Sequence, residues 1–207
     1  MKKVAVAIHA TQDFDINSIL NLENLDFIHV DVMDGLFVNN KMLNLDIFQT
    51  LKENFTIPII AHLMVKDPIE YIDKIIADVD VIFFHFEADG EILSIIKKIG
   101  TYHKKKGIVL NPSTPVSKIV PFLSELDFIL IMGVNPGWSG QKFLPATIEK
   151  VNQLAKYKQK FKFEIDVDGG INLKNARKLK NADILNSSST ILEAPNPNEA
   201  INLLKES

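Results

Sequence analysis

Eight short apolar runs rich in β-branched residues alternate with amphipathic stretches along the whole 207-residue chain. The runs read as strands near residues 4–8, 27–32, 59–64, 79–86, 107–111, 128–133, 163–167 and 183–186. Helical patterns fill the intervals at 16–22, 45–54, 69–77, 92–104, 116–123, 146–157, 172–179 and 197–204. Pro68, Pro115, Pro145 and Pro197 sit at or near helix starts, where a missing N–H costs little. Eight strand-helix units predict an α/β fold, a single (β/α)8 barrel over residues 1–207. An open doubly wound sheet is the competing arrangement. The strand count disfavours it, and no Gly-x-Gly-x-x-Gly follows the first strand.

Composition narrows the class. Hydrophobic content of 46% and charged content of 24% are those of a globular protein. A net charge of -3 gives no sign of a nucleic-acid or membrane binder. No apolar run approaches the roughly 20 residues that span a bilayer. The start, Met1-Lys2-Lys3-Val4-Ala5-Val6-Ala7-Ile8, has too short an apolar run for a signal peptide and is followed by Asp13 and Asp15, so a cytoplasmic protein is expected. Cysteine is absent, so any metal site must use histidine and carboxylate ligands. The lysines at 97, 98 and 104–106 read as a solvated helix face and exit, and His103 among them as a surface residue.

The chemistry concentrates at strand ends. In Phe27-Ile28-His29-Val30-Asp31-Val32-Met33-Asp34-Gly35, alternation puts Ile28, Val30 and Val32 on one face and His29, Asp31 and Met33 on the other. A histidine and a carboxylate thus occupy a face that a plain core would fill with Leu or Val. His62 ends the third strand, His85 and Glu87 the fourth, Asn111 the fifth, and Asp168 the seventh. An isolated core histidine is commonly just hydrogen-bonded, and Asp before Gly-Gly is commonly a turn. Three strands ending in ligand-type residues on the inward parity point instead to a metal site. His29, Asp31, His62 and Asp168 suit one divalent ion, Zn²⁺, Fe²⁺ or Mn²⁺. His85 and Glu87 could support His62 from behind, and His9 could face the site.

A second constellation suits phosphate. The loop 134–141 (Val-Asn-Pro-Gly-Trp-Ser-Gly-Gln) follows the sixth strand, Gly169-Gly170 the seventh and Ser187-Ser188-Ser189 the eighth. Backbone N–H groups in such loops cradle anions, and barrels of this kind bind phosphate after strands seven and eight. A metal, two carboxylates and a phosphate anchor fit chemistry on a small sugar phosphate. One aspartate can remove the proton beside a carbonyl and the other can return one to the opposite face, which inverts a carbon.

Ordered blocks then carry a resemblance. They are His29-Val30-Asp31-Val32-Met33-Asp34-Gly35 with Phe37-Val38 and Asn40, His62-Leu63-Met64-Val65 with Pro68, and His85-Phe86-Glu87-Ala88. Leu110-Asn111-Pro112 with Thr114-Pro115, Asn135-Pro136-Gly137 with Gly140-Gln141 and Phe143, and Val167-Asp168-Gly169-Gly170 complete the set. The chain resembles the ribulose-phosphate 3-epimerase family. The resemblance implies a TIM barrel of the ribulose-phosphate-binding type that interconverts D-ribulose 5-phosphate and D-xylulose 5-phosphate through an enediolate. It implies metal binding by His29, Asp31, His62 and Asp168, with Asp31 and Asp168 as the acid/base pair. Met33, Met64 and Met132 would pack around the reacting centre. His62, Gly137, Trp138, Ser139, Gly140, Gly169, Gly170, Ser188 and Ser189 would meet substrate and phosphate. A sugar phosphate is the expected partner and a homo-oligomer the expected assembly.

The chain departs from the family pattern at Ile8, Leu36, Asn39, Trp138, Ser139 and Ser188. Ser139 and Ser188 stand where glycines are usual, and a serine is disfavoured if the backbone there needs a positive φ. An epimerase for another ketose phosphate, such as D-allulose 6-phosphate, and a non-catalytic sugar-phosphate-binding barrel are the alternatives. Intact Asp31 and Asp168 argue against the second.

Overall fold

A computed structural model describes all residues, 1–207. Nine strands form: β1 (Lys3–His9), β2 (Phe27–Asp34), β3 (Lys41–Met42), β4 (Ile59–Met64), β5 (Val81–His85), β6 (Lys105–Leu110), β7 (Phe128–Met132), β8 (Glu164–Asp168) and β9 (Ile184–Ser187). Eight of them pair in parallel in the order β1-β2-β4-β5-β6-β7-β8-β9, and β9 pairs with β1, closing the barrel. The two-residue β3 is antiparallel to β2 at the rim and was not expected from the sequence. Helices α1 (Asn17–Leu20), α2 (Asp46–Asn54), α3 (Pro68–Ile75), α4 (Ile92–Thr101), α5 (Ala146–Ala155), α6 (Leu173–Ala176), α7 (Ser189–Leu192) and α8 (Pro197–Lys205) complete the chain. The expected (β/α)8 barrel is the observed fold.

Side-chain parity builds two cores. Outward residues such as Ile28, Val30 and Val32 on β2 join the helices in a cluster of 46 buried residues. Only 11 buried hydrophobic residues, among them Ala5, Phe27, Phe83, Phe128 and Leu130, cluster inside the barrel. Most apolar burial therefore lies between barrel and helices, which leaves the interior free to carry polar groups. At its floor Lys3 Nζ meets Glu164 Oε1 at 2.8 Å. Higher up, towards the C-terminal strand ends, His29, Asp31, His62, Asp166 and Asp168 are all buried.

Several local expectations change. The helix expected at 116–123 is two 3₁₀ segments, Val116–Lys118 and Val120–Glu125. Pro121 sits at the start of the second, and its missing N–H stops an α-helix from running through. The helix expected at 172–179 keeps only Leu173–Ala176, started by an Asn172 side chain that accepts from the N–H groups of Lys174 and Asn175. The helix expected to reach Lys104 stops at Thr101, because His103 takes φ 56°. Lys105 and Lys106 then open β6 rather than a helix exit, and Lys105 pairs with Asp127 at 2.8 Å. His103 is exposed, as expected.

Gly107 in β6 marks a close approach inside the barrel. A Cβ built there would lie 1.7 Å from Phe83 Cδ1. Phe83 is completely buried and stacks edge-on against Phe128, so its ring has no free direction to retreat. Gly107→Ala is expected to cost about 1–3 kcal/mol through overpacking, seen as a lower midpoint in urea unfolding. An unchanged midpoint would show that the Phe83 ring repacks freely.

Candidate metal centre and substrate cleft

The centre of the site is four side chains from three strands. His29 and Asp31 project from β2, His62 from β4 and Asp168 from β8. The register Asp31↔His62 sets two of them side by side on neighbouring strands. His29 Nε2 lies 3.1 Å from Asp31 Oδ1 and 3.1 Å from His62 Nδ1. His62 Nδ1 lies 2.9 Å from Asp31 Oδ1 and 4.0 Å from Asp168 Oδ2. One ligand atom from each of the four falls within 4.8 Å of every other.

This geometry fits a cation. Four donors about 2.1 Å from one ion stand roughly 3.4 Å apart in a tetrahedron, close to the spacings found. The donors are also lone-pair groups turned towards one another in a buried place, an arrangement that needs a shared proton or a positive ion. The His/Asp cluster is compatible with a divalent metal site.

Electrostatics separate the two carboxylates. Burial opposes ionisation of both. For Asp31, hydrogen bonds and charge from His29 and His62 overcome burial and hold the carboxyl well below its ordinary range. For Asp168, burial and the Asp31 charge push the carboxyl up. Burial would lower His29, but the Asp31 hydrogen bond and the charges of Asp31, Asp168 and Asp166 lift it to about 9.

Support comes from behind His62. His62 Nε2 lies 2.9 Å from His85 Nε2, and His85 Nδ1 faces Glu87 Oε2 at 3.5 Å. The Asn111 N–H donates to Glu87 Oε1 at 3.0 Å, and the Thr114 hydroxyl donates to the same oxygen. Lys150 of α5 donates to the carbonyls of Asn111 and Thr114. Burial lowers His85 to about 4, which keeps a second cation away from the cluster. His85 and Glu87, ambiguous in sequence, therefore buttress one of the candidate ligands.

A cleft of about 490 Å³ opens above Asp31 and Asp168. Met33, Met64 and Met132 line it, as do Gly137, Trp138, Ser139, Gly140, Gly169, Gly170, Ser188 and Ser189. His29 and His62 lie beneath it, fully buried. Every residue expected at the site is thus in the cleft or directly under it. Gly169 takes φ 101°, and a Cβ there would meet Val134 Cγ2 at 2.5 Å, so the turn after β8 requires glycine. Ser188 takes φ -104°, and Ser139 is not among the residues with positive φ. Neither serine takes the left-handed backbone that would favour glycine.

Three features were missed or left open by sequence reasoning. His9 does face the site, with Nε2 3.6 Å from Asp31 Oδ2 and 3.1 Å from Ser139 Oγ. Its place at the end of β1 was the available signal. Asp166 and Asn186, joined at 2.8 Å inside the barrel, were not singled out. Their inward parity on β8 and β9 was the sign. The loops after β2 and β7 also meet, since Asn40 Nδ2 donates to Gly137 O at 3.1 Å.

Fold and site define a class: a (β/α)8 barrel with a buried His/Asp cluster at its C-terminal strand ends, beneath a cleft rimmed by glycine and serine loops. The chain belongs to the Ribulose-phosphate 3 epimerase family, whose sequence model matches residues 3–192. The ribulose-phosphate 3-epimerase of Bacillus subtilis is 38% identical over 184 residues, 85% of this chain and 84% of that protein. The enzyme of that name from Escherichia coli K12 is 35% identical over 190 residues, covering 87% and 83%. Ribulose-5-phosphate-3-epimerase, chloroplastic, of Arabidopsis thaliana is 36% identical over 198 residues, covering 91% and 69%. Among solved structures, KGPDC from Streptococcus mutans superposes with TM-score 0.75 over 100% of this chain and 96% of that one, at 15% identity. The 3-hexulose-6-phosphate synthase from Salmonella typhimurium does so with TM-score 0.66 over 99% and 97%, at 16% identity. At such identities these two show the fold alone. No helix is long and apolar enough to cross a membrane.

A cation must displace the His29 proton. Because the folded value of about 9 exceeds the ordinary 6.5, that proton adds stability to the metal-free fold below pH 6.5. The contribution is lost as pH rises through about 9. Zn²⁺ binding at pH 7 is therefore expected to release about one proton, with affinity rising roughly tenfold per pH unit until His29 has titrated. Calorimetry in buffers of differing ionisation enthalpy reads both. A pH-independent affinity between 6 and 8 would contradict the assignment of His29 as a protonated ligand.

Proposed function

We propose that this protein interconverts D-ribulose 5-phosphate and D-xylulose 5-phosphate by proton transfer at C3. The observation that carries the reading is the opposite displacement of two buried carboxylates over one cleft, Asp31 held low and Asp168 pushed high. Titratable pairs pushed apart in this way mark acid and base roles. Family membership supplies the substrate class.

In this reading Asp31, ionised, takes the C3 proton of the ketose. The electron pair left at C3 moves into an enediolate shared by C2 and C3. Asp168, protonated, returns a proton to C3 from the opposite face, which inverts that carbon. Solvent exchange then restores the two carboxyls, and the reverse reaction exchanges their roles. His29, Asp31, His62 and Asp168 would hold one divalent cation. When bound, it supplies polarisation of the C2 carbonyl and stabilises the enediolate charge. Histidine and carboxylate donors suit Zn²⁺, Fe²⁺ or Mn²⁺ alike.

The methionines fit the reacting centre as apolar, adaptable walls. Met33 and Met64 are neighbours in register across β2 and β4, and Met132 is paired with Asp168 across β7 and β8. They keep water from the carbanion-like carbon without adding a competing acid. The phosphate is assigned to the backbone of Gly169, Gly170, Ser188 and Ser189, with the Gly137–Gly140 loop closing over it. A cytoplasmic sugar-phosphate enzyme is the reading that follows.

Proton NMR of D-ribulose 5-phosphate with Zn²⁺-loaded protein in D₂O tests the activity. The C3 proton signal is expected to vanish as D-xylulose 5-phosphate appears, and a persistent signal would sink the reading. Asp168→Asn is expected to lower turnover by at least about 10²-fold while the circular dichroism spectrum stays native. Wild-type turnover in that variant would remove Asp168 from the acid/base pair.

A further inference from the structure

The loop after β7 has little of its own to hold it over the cleft. No backbone hydrogen bond ties residues 134–142 to another part of the chain. Gly137 and Gly140 take positive φ, 110° and 74°. Within the loop, Gln141 Nε2 donates to the carbonyls of Asn135 and Trp138 at 2.7 and 2.9 Å, so these residues keep a common shape. Two side-chain bonds reach the loop from outside. One, exposed to solvent, joins Ser139 Oγ and His9 Nε2. The other is the donation from Asn40 Nδ2 to Gly137 O at 3.1 Å. Gly137 is buried, whereas residues 138–140 are exposed. Val38 packs on the same glycine, where an added Cβ would lie 3.1 Å from Val38 Cβ. The loop is thus fixed at Gly137, and segment 35–40 fixes it.

That segment owes its shape to Asp34. Asp34 is the buried last residue of β2, and its pairing with Lys41 of β3 closes the ends of the segment. Its carboxylate accepts three backbone N–H groups. Oδ1 takes those of Leu36 at 2.8 Å and Phe37 at 2.9 Å, and Oδ2 takes that of Lys66 at 2.7 Å. The first two fold the segment back over Gly35, which takes φ 80°. The third clamps it to the chain leaving β4. Phe37 then rests its ring on His85, with centroids 4.7 Å apart, which anchors the segment on the barrel. Hydrogen bonds to an ionised acceptor are roughly twice as strong as neutral ones, so one carboxylate organises the whole turn.

We propose that Asp34 is a positioning residue for substrate: its carboxylate folds segment 35–40 into a brace that holds Gly137, and with it the 134–141 loop, over the bound phosphate. Asp34, Val38 and Asn40 do not line the cleft, whereas Gly137 does. Asp34 therefore acts through the brace and touches neither substrate nor cation. Misplacing a substrate-holding group by about 1 Å from a distance can cost as much as 10²-fold in rate.

The inference rests on the sugar-phosphate reading, and its test separates the two. Trp138 is the only tryptophan in the chain and follows Gly137 directly, so its fluorescence anisotropy decay reports the loop without any turnover. In Asp34→Asn the amide group faces an N–H whichever way it turns. Asn40→Asp keeps the acceptor for the Lys41 N–H but loses the donor to Gly137 O. Each variant is expected to enlarge the fast component of the decay. Each should also raise KM for D-ribulose 5-phosphate roughly 10- to 100-fold, with a smaller change in kcat and unchanged Zn²⁺ affinity. The double variant should be no worse in KM than the worse single one, because both break one line of contacts. Additive KM effects, or a wild-type decay in Asp34→Asn, overturn the proposal. A fall in kcat at unchanged KM, or a loss of Zn²⁺ affinity that parallels KM, places Asp34 with the reacting groups and overturns it equally. A wild type inactive on this substrate, with a decay that still depends on Asp34 and Asn40, overturns the sugar-phosphate reading and keeps the brace. Should Asp34→Asn not fold, Asn40→Asp carries both readouts, and wild-type decay and KM there overturn the proposal.

Discussion

The site depends on the parallel pairing of β1 with β2, which closes the sheet. Asp31 stands on β2 and Asp168 on β8, with β1 and β9 between them. Opened flat at the β1–β2 seam, the sheet would put five strand spacings, about 24 Å, between those carboxylates. Closure bends the sheet until inward side chains meet across the interior, and the four donor atoms come within 4.8 Å of one another. The same closure brings His9 beside Asp31 in register. An open doubly wound sheet of the same strands would carry the same residues and no site.

Closure has an energetic condition as well. Parallel barrels are held mainly by the layer between strands and helices, and here that layer contains most of the buried hydrophobic residues. The barrel interior can therefore tolerate a column of polar groups running from the Lys3–Glu164 floor to the cluster. Each group in the column is matched by another: Lys3 with Glu164, Asn186 with Asp166, His85 with Glu87, and His62 with both His85 and Asp31. Buried charge without such matching would be expensive. The mutual matching also divides the two aspartates. Asp31 is hydrogen-bonded with His29 and His62 and has His9 beside it, while burial and the Asp31 charge act against ionisation of Asp168.

The rim adjusts this site without altering it. Ser139 and Ser188 both keep a negative φ, so neither position demands glycine. The glycines that the turns demand are elsewhere, as at Gly169, where Val134 leaves no space for a Cβ. Ser139 meets His9, and Asn40 reaches Gly137, so the loops after β1, β2 and β7 are tied together over the cleft. Trp138 and Leu36 remain largely exposed there.

What the sequence determined alone was periodicity and parity. Alternating residues of a strand must face opposite ways, so His29 with Asp31, His62, and Asp168 were legible as one inward set, and eight strand-helix units as a barrel. Helix ends were less legible. Pro121, the Asn172 cap and the left-handed His103 shortened or broke helices that hydrophobic spacing alone extended. Contacts between strands far apart in the chain were beyond reach, because they depend on closure and register. The chain raised but could not decide whether His85 stands behind His62 and whether His9 faces the site, and it could not tell that His9 meets Ser139 or that Asp166 and Asn186 meet inside the barrel. Nor could it separate the two aspartates. Which carboxylate is stabilised as an anion depends on the charges gathered around it, and only the tertiary structure brings those charges together.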